Sequence, residues 1–226
     1  RASGVATALT RSNAVRLAAL DLPKSEPFTF SGAGGTPIHG MLVKPPSFDS
    51  SRKYPVVMLL HGGPQTQWGD TWSYRWNAEM FASPGYVVVM INRRGSTGAG
   101  QKFVDDITGD WGGKPLVDLM EGLDFVLQKY SFADPQRVAA AGGSYGGYMA
   151  DWLASQSKGR FRALVSHAGV YDLASMYGST EELWFPEHDF GGTPWTNPKA
   201  YQQMSPSSYA AGFGKYKTPT LVICGE

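Results

Sequence analysis

An α/β fold, with a mostly parallel sheet covered by helices on both faces, is what this sequence predicts, and three observations carry the prediction. First, short unbroken apolar runs recur along the chain: Tyr54–Leu60 (YPVVMLL), residues 86–91 (YVVVMI), 137–141, 163–166 and 219–224 (PTLVIC). Runs of strand length without polar alternation mark strands buried on both faces. Second, helix-length segments separate them. The clearest is residues 116–130, where Leu116, Leu119, Met120, Leu123, Val126 and Leu127 fall on one helical face. Third, residues 28–30 and 38–43 flank the turn Gly32-Ala33-Gly34-Gly35 and end before Pro45-Pro46, the pattern of a hairpin. A hairpin followed by alternating strand and helix argues a parallel sheet between helical layers.

Taken in order, residues 1–26 alternate weakly, with Val15-Arg16-Leu17 and Leu20-Asp21-Leu22 as short strand-like pieces. They hold too few apolar residues for a core, so the expectation is the end of a preceding domain or a linker, with residues 27–226 as the main domain. Hydrophobic content of 42% against 17% charged suits such a core. Twenty basic residues against 19 acidic give no electrostatic case for nucleic acid or an anionic membrane. No apolar run approaches the ~20 residues of a membrane span. The single cysteine, Cys224, excludes an internal disulfide, and no metal-ligand spacing joins it to the four histidines. No cofactor is expected.

The chemistry concentrates in residues 138–150, VAAAGGSYGGYMA. The short apolar run enters Gly142-Gly143-Ser144-Tyr145-Gly146, a G-x-S-x-G turn, and a helix-compatible run follows. A sharp strand-to-helix turn holds the serine in a strained conformation with its hydroxyl clear of the sheet. Side chains at positions 142 and 146 would collide where strand and helix cross, so glycine is needed there. The helix starting at Tyr145 aims free N–H groups at the serine. Ser144 is the expected nucleophile, and the whole arrangement is that of an α/β-hydrolase. An oxyanion hole needs two donors. The N–H of Tyr145 is one, and His61-Gly62-Gly63-Pro64, directly after the YPVVMLL run, offers the second at Gly63.

HGGP, the run Asn92-Arg93-Arg94-Gly95-Ser96-Thr97-Gly98, the turn Gly109-Asp110-Trp111-Gly112 and GGSYGGYM together resemble the prolyl oligopeptidase family of serine peptidases, nearest its dipeptidyl-peptidase V and acylaminoacyl-peptidase branch. Residues 181–188, EELWFPEH, are also similar to the dipeptidyl-peptidase V type. The resemblance implies a β-propeller upstream, whose last strands residues 1–26 would represent. It implies cleavage of short peptides near their N-termini through an acyl-enzyme. It favours a secreted or periplasmic setting over the cytoplasm and leaves homo-oligomers open. It also implies an apolar specificity pocket lined by Val170, Leu173, Met176 and Tyr177.

The resemblance also implies a triad running serine, acid, histidine, with the aspartate in the loop after PTLVIC and the histidine later. Neither is present by Glu226, so a chain of these 226 residues is expected to be inactive by itself. Of the histidines after the serine, His167 ends the fourth apolar run and reads as a core or rim residue. His188 lies between Glu187 and Asp189 and reads as solvated. Glu226 falls near the acid's place without matching it. Arg93 and Arg94 could grip a substrate carbonyl or carboxylate, or pair with Asp105 or Asp106. Glu181 and Glu182 suit a helix start better than a substrate amine. Gly95, Gly98 and Gly100 lack the Lys-Ser/Thr of a phosphate loop. Two other functions stay open: a carboxylesterase on the same serine chemistry, and a non-catalytic binding module on a hydrolase scaffold.

Overall fold

The structure, a computed structural model, describes Gly4 and residues 7–225. Seven strands, β1 (Glu26–Ser31), β2 (Pro37–Val43), β3 (Tyr54–Leu60), β4 (Val87–Asn92), β5 (Ala133–Gly143), β6 (Ala163–His167) and β7 (Thr220–Ile223), form one sheet in the order β1-β2-β4-β3-β5-β6-β7. β2 runs antiparallel to both its neighbours, and β3 to β7 are mutually parallel. Nine helices accompany them among the described residues: α1 (Ala14–Ala18), α2 (Ala78–Ala82), α3 (Gln101–Asp105), α4 (Lys114–Lys129), α5 (Tyr145–Gln156), α6 (Leu173–Ser179), α7 (Trp184–Phe190), α8 (Pro198–Met204) and α9 (Ala210–Tyr216). This is the α/β-hydrolase arrangement that the sequence predicts.

Alternation along the central strands builds two cores. On β3, Val56, Met58 and Leu60 join Phe30, Leu119, Leu123 and Leu153 in the larger one, under α4 and α5. Val57 and Leu59 point the other way, to Val88, Met90 and Ala82 of α2, with Trp68 and Trp76 packed alongside. An unbroken apolar strand is thus the expected consequence of a sheet covered on both sides. On α4 the buried positions Pro115, Asp118, Leu119, Gly122, Leu123 and Val126 make one stripe at helical spacing.

Two expectations need correction. β5 starts at Ala133, not Arg137, with a register irregularity between Tyr54 and Val56 of its neighbour. And residues 14–18 form a helix rather than a strand piece, with nothing from 20 to 25 in a strand. Val15, Leu17, Leu20 and Leu22 are exposed, so no sheet edge or core within the described residues selects an extended form there.

Candidate active site

The carboxyl ends of β3, β4 and β5 lie side by side, where open α/β sheets carry their ligands. Ser144, between β5 and α5, has φ 58° and ψ −121°, a strained backbone for a residue with a side chain. It is exposed, while residues 140–143 and 145–155 on either side are buried. Close approach of the backbone produces this turn. A Cβ on Gly142 would overlap the carbonyl of Gly146, and one on Gly146 would overlap the carbonyl of Leu60 at the end of β3. The glycines are therefore sterically dictated, as the sequence predicts. The N–H of Ser144 donates to His167 O at 2.9 Å, which ties the turn to β6.

The loop after β3 lies against the serine. A Cβ on Gly62 would come within 3.2 Å of Gly143 O and 3.4 Å of Ser144 Cβ. Neither the Gly63 nor the Tyr145 N–H donates a hydrogen bond among the described residues. For Tyr145 this is the free first N–H of α5, at the positive end of the helix. His61 is 7% exposed and holds the loop: its Nε2 lies 2.8 Å from Ser96 Oγ and its Nδ1 2.8 Å from Gly62 O. Burial, and then the nearby Arg93 charge, push its pKa well below the ordinary histidine value, so the ring is neutral near pH 7. A cavity of about 560 Å³ opens at Ser144, lined by His61, Gly63, Trp68, Trp76, Glu79 and His167 among others. Two free amides beside an exposed serine at a helix start can receive a carbonyl oxygen as it gains negative charge.

The residue pattern agrees with known proteins. The model of the prolyl oligopeptidase family matches residues 72–226. The chain belongs to the prolyl oligopeptidase family. A dipeptidyl-peptidase 5 of Schizosaccharomyces pombe is 48% identical over 199 residues, which cover 88% of this chain and 29% of that protein. A dipeptidyl-peptidase 5 of Trichophyton schoenleinii is 47% identical over 199 residues, 88% of this chain and 27% of its own length. The acylaminoacyl peptidase of Pyrococcus horikoshii superposes with a TM-score of 0.88 at 25% identity, over 99% of this chain and 40% of that one. An acylaminoacyl peptidase in complex with Z-Gly-Gly-Phe-chloromethyl ketone gives 0.85, also at 25% identity, over 96% and 39%. The chain thus spans less than a third of the length of these dipeptidyl-peptidase relatives.

Within this prolyl oligopeptidase domain other sequence expectations fall elsewhere. Val170, Leu173, Met176 and Tyr177 do not line the cavity at Ser144. Leu173 is fully buried and Tyr177 nearly so, both in the larger core, with Val170 and Met176 packed against it. Their apolar character serves packing of the segment after β6, not that cavity. Arg94 pairs with Asp118 of α4, Nε to Oδ2 at 2.8 Å and Nη2 to Oδ1 at 3.0 Å, rather than with Asp105 or Asp106. Asp106 is taken by Lys102 and Asp105 by Gln101. Neither arginine lines the cavity at Ser144.

His167 is half-buried at the cavity rim, its ring 6.2 Å from that of Trp76. His188 is solvated, with Nδ1 3.0 Å from Asp189 Oδ1. Glu181 and Glu182 are exposed just before α7, where Glu182 O accepts from the Phe185 N–H. Glu226 lies outside the described residues, and no candidate metal cluster occurs among those described.

Sequence reasoning missed the support beneath the site. Tyr145 donates from its hydroxyl to Trp111 O at 2.6 Å, Trp111 Nε1 donates to the buried Asp189 at 2.8 Å, and Gln65 reaches the same carboxylate at 3.3 Å. The loop after β3 and the start of α5 are therefore joined from below. The one signal available was the turn Gly109-Asp110-Trp111-Gly112, which carried no partner in the sequence.

Proposed function

We propose that the protein to which this chain belongs is a serine peptidase that cleaves short peptides near their N-termini, with Ser144 acylated during turnover. The observation that carries it is the exposed, strained Ser144 beside two amides with no partner among the described residues. In this reading Ser144 Oγ attacks the scissile carbonyl carbon while its proton passes to a general base. The carbonyl electrons move onto oxygen, where the N–H groups of Tyr145 and Gly63 receive them. Reformation of the carbonyl breaks the C–N bond, the amine leaves with the proton, and water repeats the sequence on the acyl-enzyme. The resembled pattern sets the triad aspartate and histidine after β7. Removing an oxyanion donor typically costs about 10²–10³ in kcat, so the two amides carry a large share of the rate.

The dipeptidyl form of the reaction is favoured by the relatives so named at 48% and 47% identity, against 25% for the acylaminoacyl peptidases. In the same reading residues 27–226 belong to the peptidase domain and residues 1–26 lead in from a preceding domain, a propeller in the resembled family. The exposed Leu9, Val15, Leu17, Leu20 and Leu22 support this.

The test uses the full-length protein. A fluorophosphonate probe labels the wild type and leaves Ser144→Ala unlabelled, and turnover of a chromogenic dipeptidyl amide falls by about 10⁴-fold or more in the variant. Equal labelling of the two proteins would refute the role of Ser144. Faster turnover of an N-acylated aminoacyl amide than of the free-amine dipeptide would move the substrate class to the acylaminoacyl side.

A further inference from the structure

Arg93 is the largest fully buried charged side chain among the described residues, and the proposed chemistry leaves it without a task. It is 2% exposed. Its neighbour Arg94 is matched by Asp118, whereas Arg93 forms no ion pair among the described residues. Its Nη1 donates to Pro64 O at 3.0 Å and to Arg94 O at 3.2 Å, and its Nη2 is buried with no hydrogen-bond partner among the described residues. The guanidinium lies over the Tyr145 ring, 4.2 Å from its centroid. A buried charge without a counter-ion is costly, and carbonyls and a π face offset that only in part.

The contacts have one thing in common. Pro64 follows Gly63, and Tyr145 follows Ser144, so Arg93 contacts both segments that carry the unpartnered amides. Arg93 itself opens the loop after β4, and that loop is locked in turn: Ser96 Oγ donates to Arg93 O at 2.6 Å and lies 2.8 Å from His61 Nε2. Three strand ends thus meet at one guanidinium. With no carboxylate paired to it, its field reaches the loop: after burial, the larger cause, the Arg93 charge also holds the His61 pKa below the ordinary value. A positive charge behind two amides, in a medium of low dielectric, favours negative charge in front of them.

We propose that Arg93 is a positioning residue for the oxyanion site, fixing the Gly63 and Tyr145 amides and adding an uncompensated positive charge behind them. The inference rests on the serine-peptidase reading, and fluorophosphonate labelling of the wild-type protein tests that reading separately.

The experiment compares full-length wild type, Arg93→Met and Arg93→Lys on one chromogenic dipeptidyl amide. Each is also titrated with a peptide aldehyde, which forms a tetrahedral adduct on the serine, and with the product dipeptide, which does not. Arg93→Met lowers kcat by about 10–100-fold with KM held within about threefold, less than outright loss of a donor. Aldehyde affinity falls by a similar factor while dipeptide affinity holds, and Arg93→Lys, which keeps the charge, recovers part of both. A merely structural arginine would weaken aldehyde and dipeptide together, or raise KM alone, and either result overturns the proposal, as does a lysine variant no better than methionine. If Arg93→Met does not fold, Arg93→Lys decides. Wild-type kcat and aldehyde affinity overturn the proposal; a loss of about threefold or more in both, with KM unchanged, supports it.

Discussion

Two strand positions separate the turn at Ser144 from β7, and the chain treats them in opposite ways. At the end of β5 backbone meets backbone: Gly142 against Gly146, Gly146 against Leu60, Gly62 against Gly143. Every residue from 145 to 155 is buried. On β7, Leu221, Val222 and Ile223 are 58%, 65% and 41% exposed, with β6 their only strand neighbour among the described residues. Both regions are apolar in sequence. In the first, residue identity is fixed by sterics with no slack. In the second the described residues constrain it only through strand propensity and one flank of hydrogen bonds.

Adding one methyl group is the sharpest way to break that comparison. Gly146→Ala places a Cβ on the carbonyl of Leu60, a backbone atom that cannot swing aside. The loss of stability is expected to reach about 2–3 kcal/mol, at the high end of overpacking, although alanine is the better helix former. Gly178 supplies the control: it lies in α6 with open space where the Cβ would go. Alanine there gains up to about 1 kcal/mol. Urea unfolding of both variants checks the pair, and equal midpoints would mean that the crossing at Ser144 is looser than the geometry states.

A smaller effect comes from charge on the same helix. Asp151 of α5 is 6% exposed and receives a hydrogen bond from Ser166 Oγ at 3.1 Å. Burial raises its pKa from the ordinary 3.8 to about 6, against the opposing effect of the serine bond. The unfolded chain therefore ionises first as pH rises from about 4, while the folded one stays protonated. Stability falls with pH across the interval from about 4 to 6 and levels off above it, by at most about 3 kcal/mol. Asp151→Asn removes the ionisation and keeps an acceptor for Ser166. It is expected to be more stable than wild type at pH 7, by about 1–2 kcal/mol, and equal to it at pH 4. Unfolding curves at four pH values test this, and parallel pH profiles for the two proteins would show that Asp151 titrates normally.

The contrast also explains what could be read from sequence. The turn at Ser144 was legible because its constraint is local: glycines at 142 and 146 and a strand–helix switch lie within a few residues. β3 and β4 were legible because burial on both faces leaves unbroken apolar runs. β7 carries the same kind of run, but among the described residues its side chains are exposed rather than buried on both faces. The start of β5 was not, since Asp134-Pro135-Gln136 reads as a turn and joins the strand only through pairing with β3. Asp118 sat on the apolar stripe of α4, a position where an acid demands a cation. That it is Arg94, and that Arg93 then goes unpaired, depends on the approach of α4 to the loop after β4, which no local pattern encodes. For Leu173 and Tyr177 the sequence showed the apolar or aromatic character but not the place: both lie in the larger core and neither lines the cavity at Ser144.

The smallest expected effect lies on β7, and it sharpens the comparison by being nearly nothing. Val222 pairs through its backbone with Ser166 of β6 and turns most of its side chain to solvent. Val222→Thr keeps the branched Cβ, and with it the restricted χ1 that suits a strand, while exchanging one methyl for a hydroxyl. Where water already surrounds the side chain, little apolar burial is lost. The expected change in stability for the 226-residue chain is within about 0.5 kcal/mol, the ordinary range for an exposed site. The same exchange at Val56 of β3, fully buried, would leave a hydroxyl seeking a partner and cost about 1–3 kcal/mol. Unfolding measured at several protein concentrations decides the matter. A loss at Val222 approaching that at Val56, and growing with concentration, would mean that a second copy of the chain covers this strand, and the two regions would then obey the same rule.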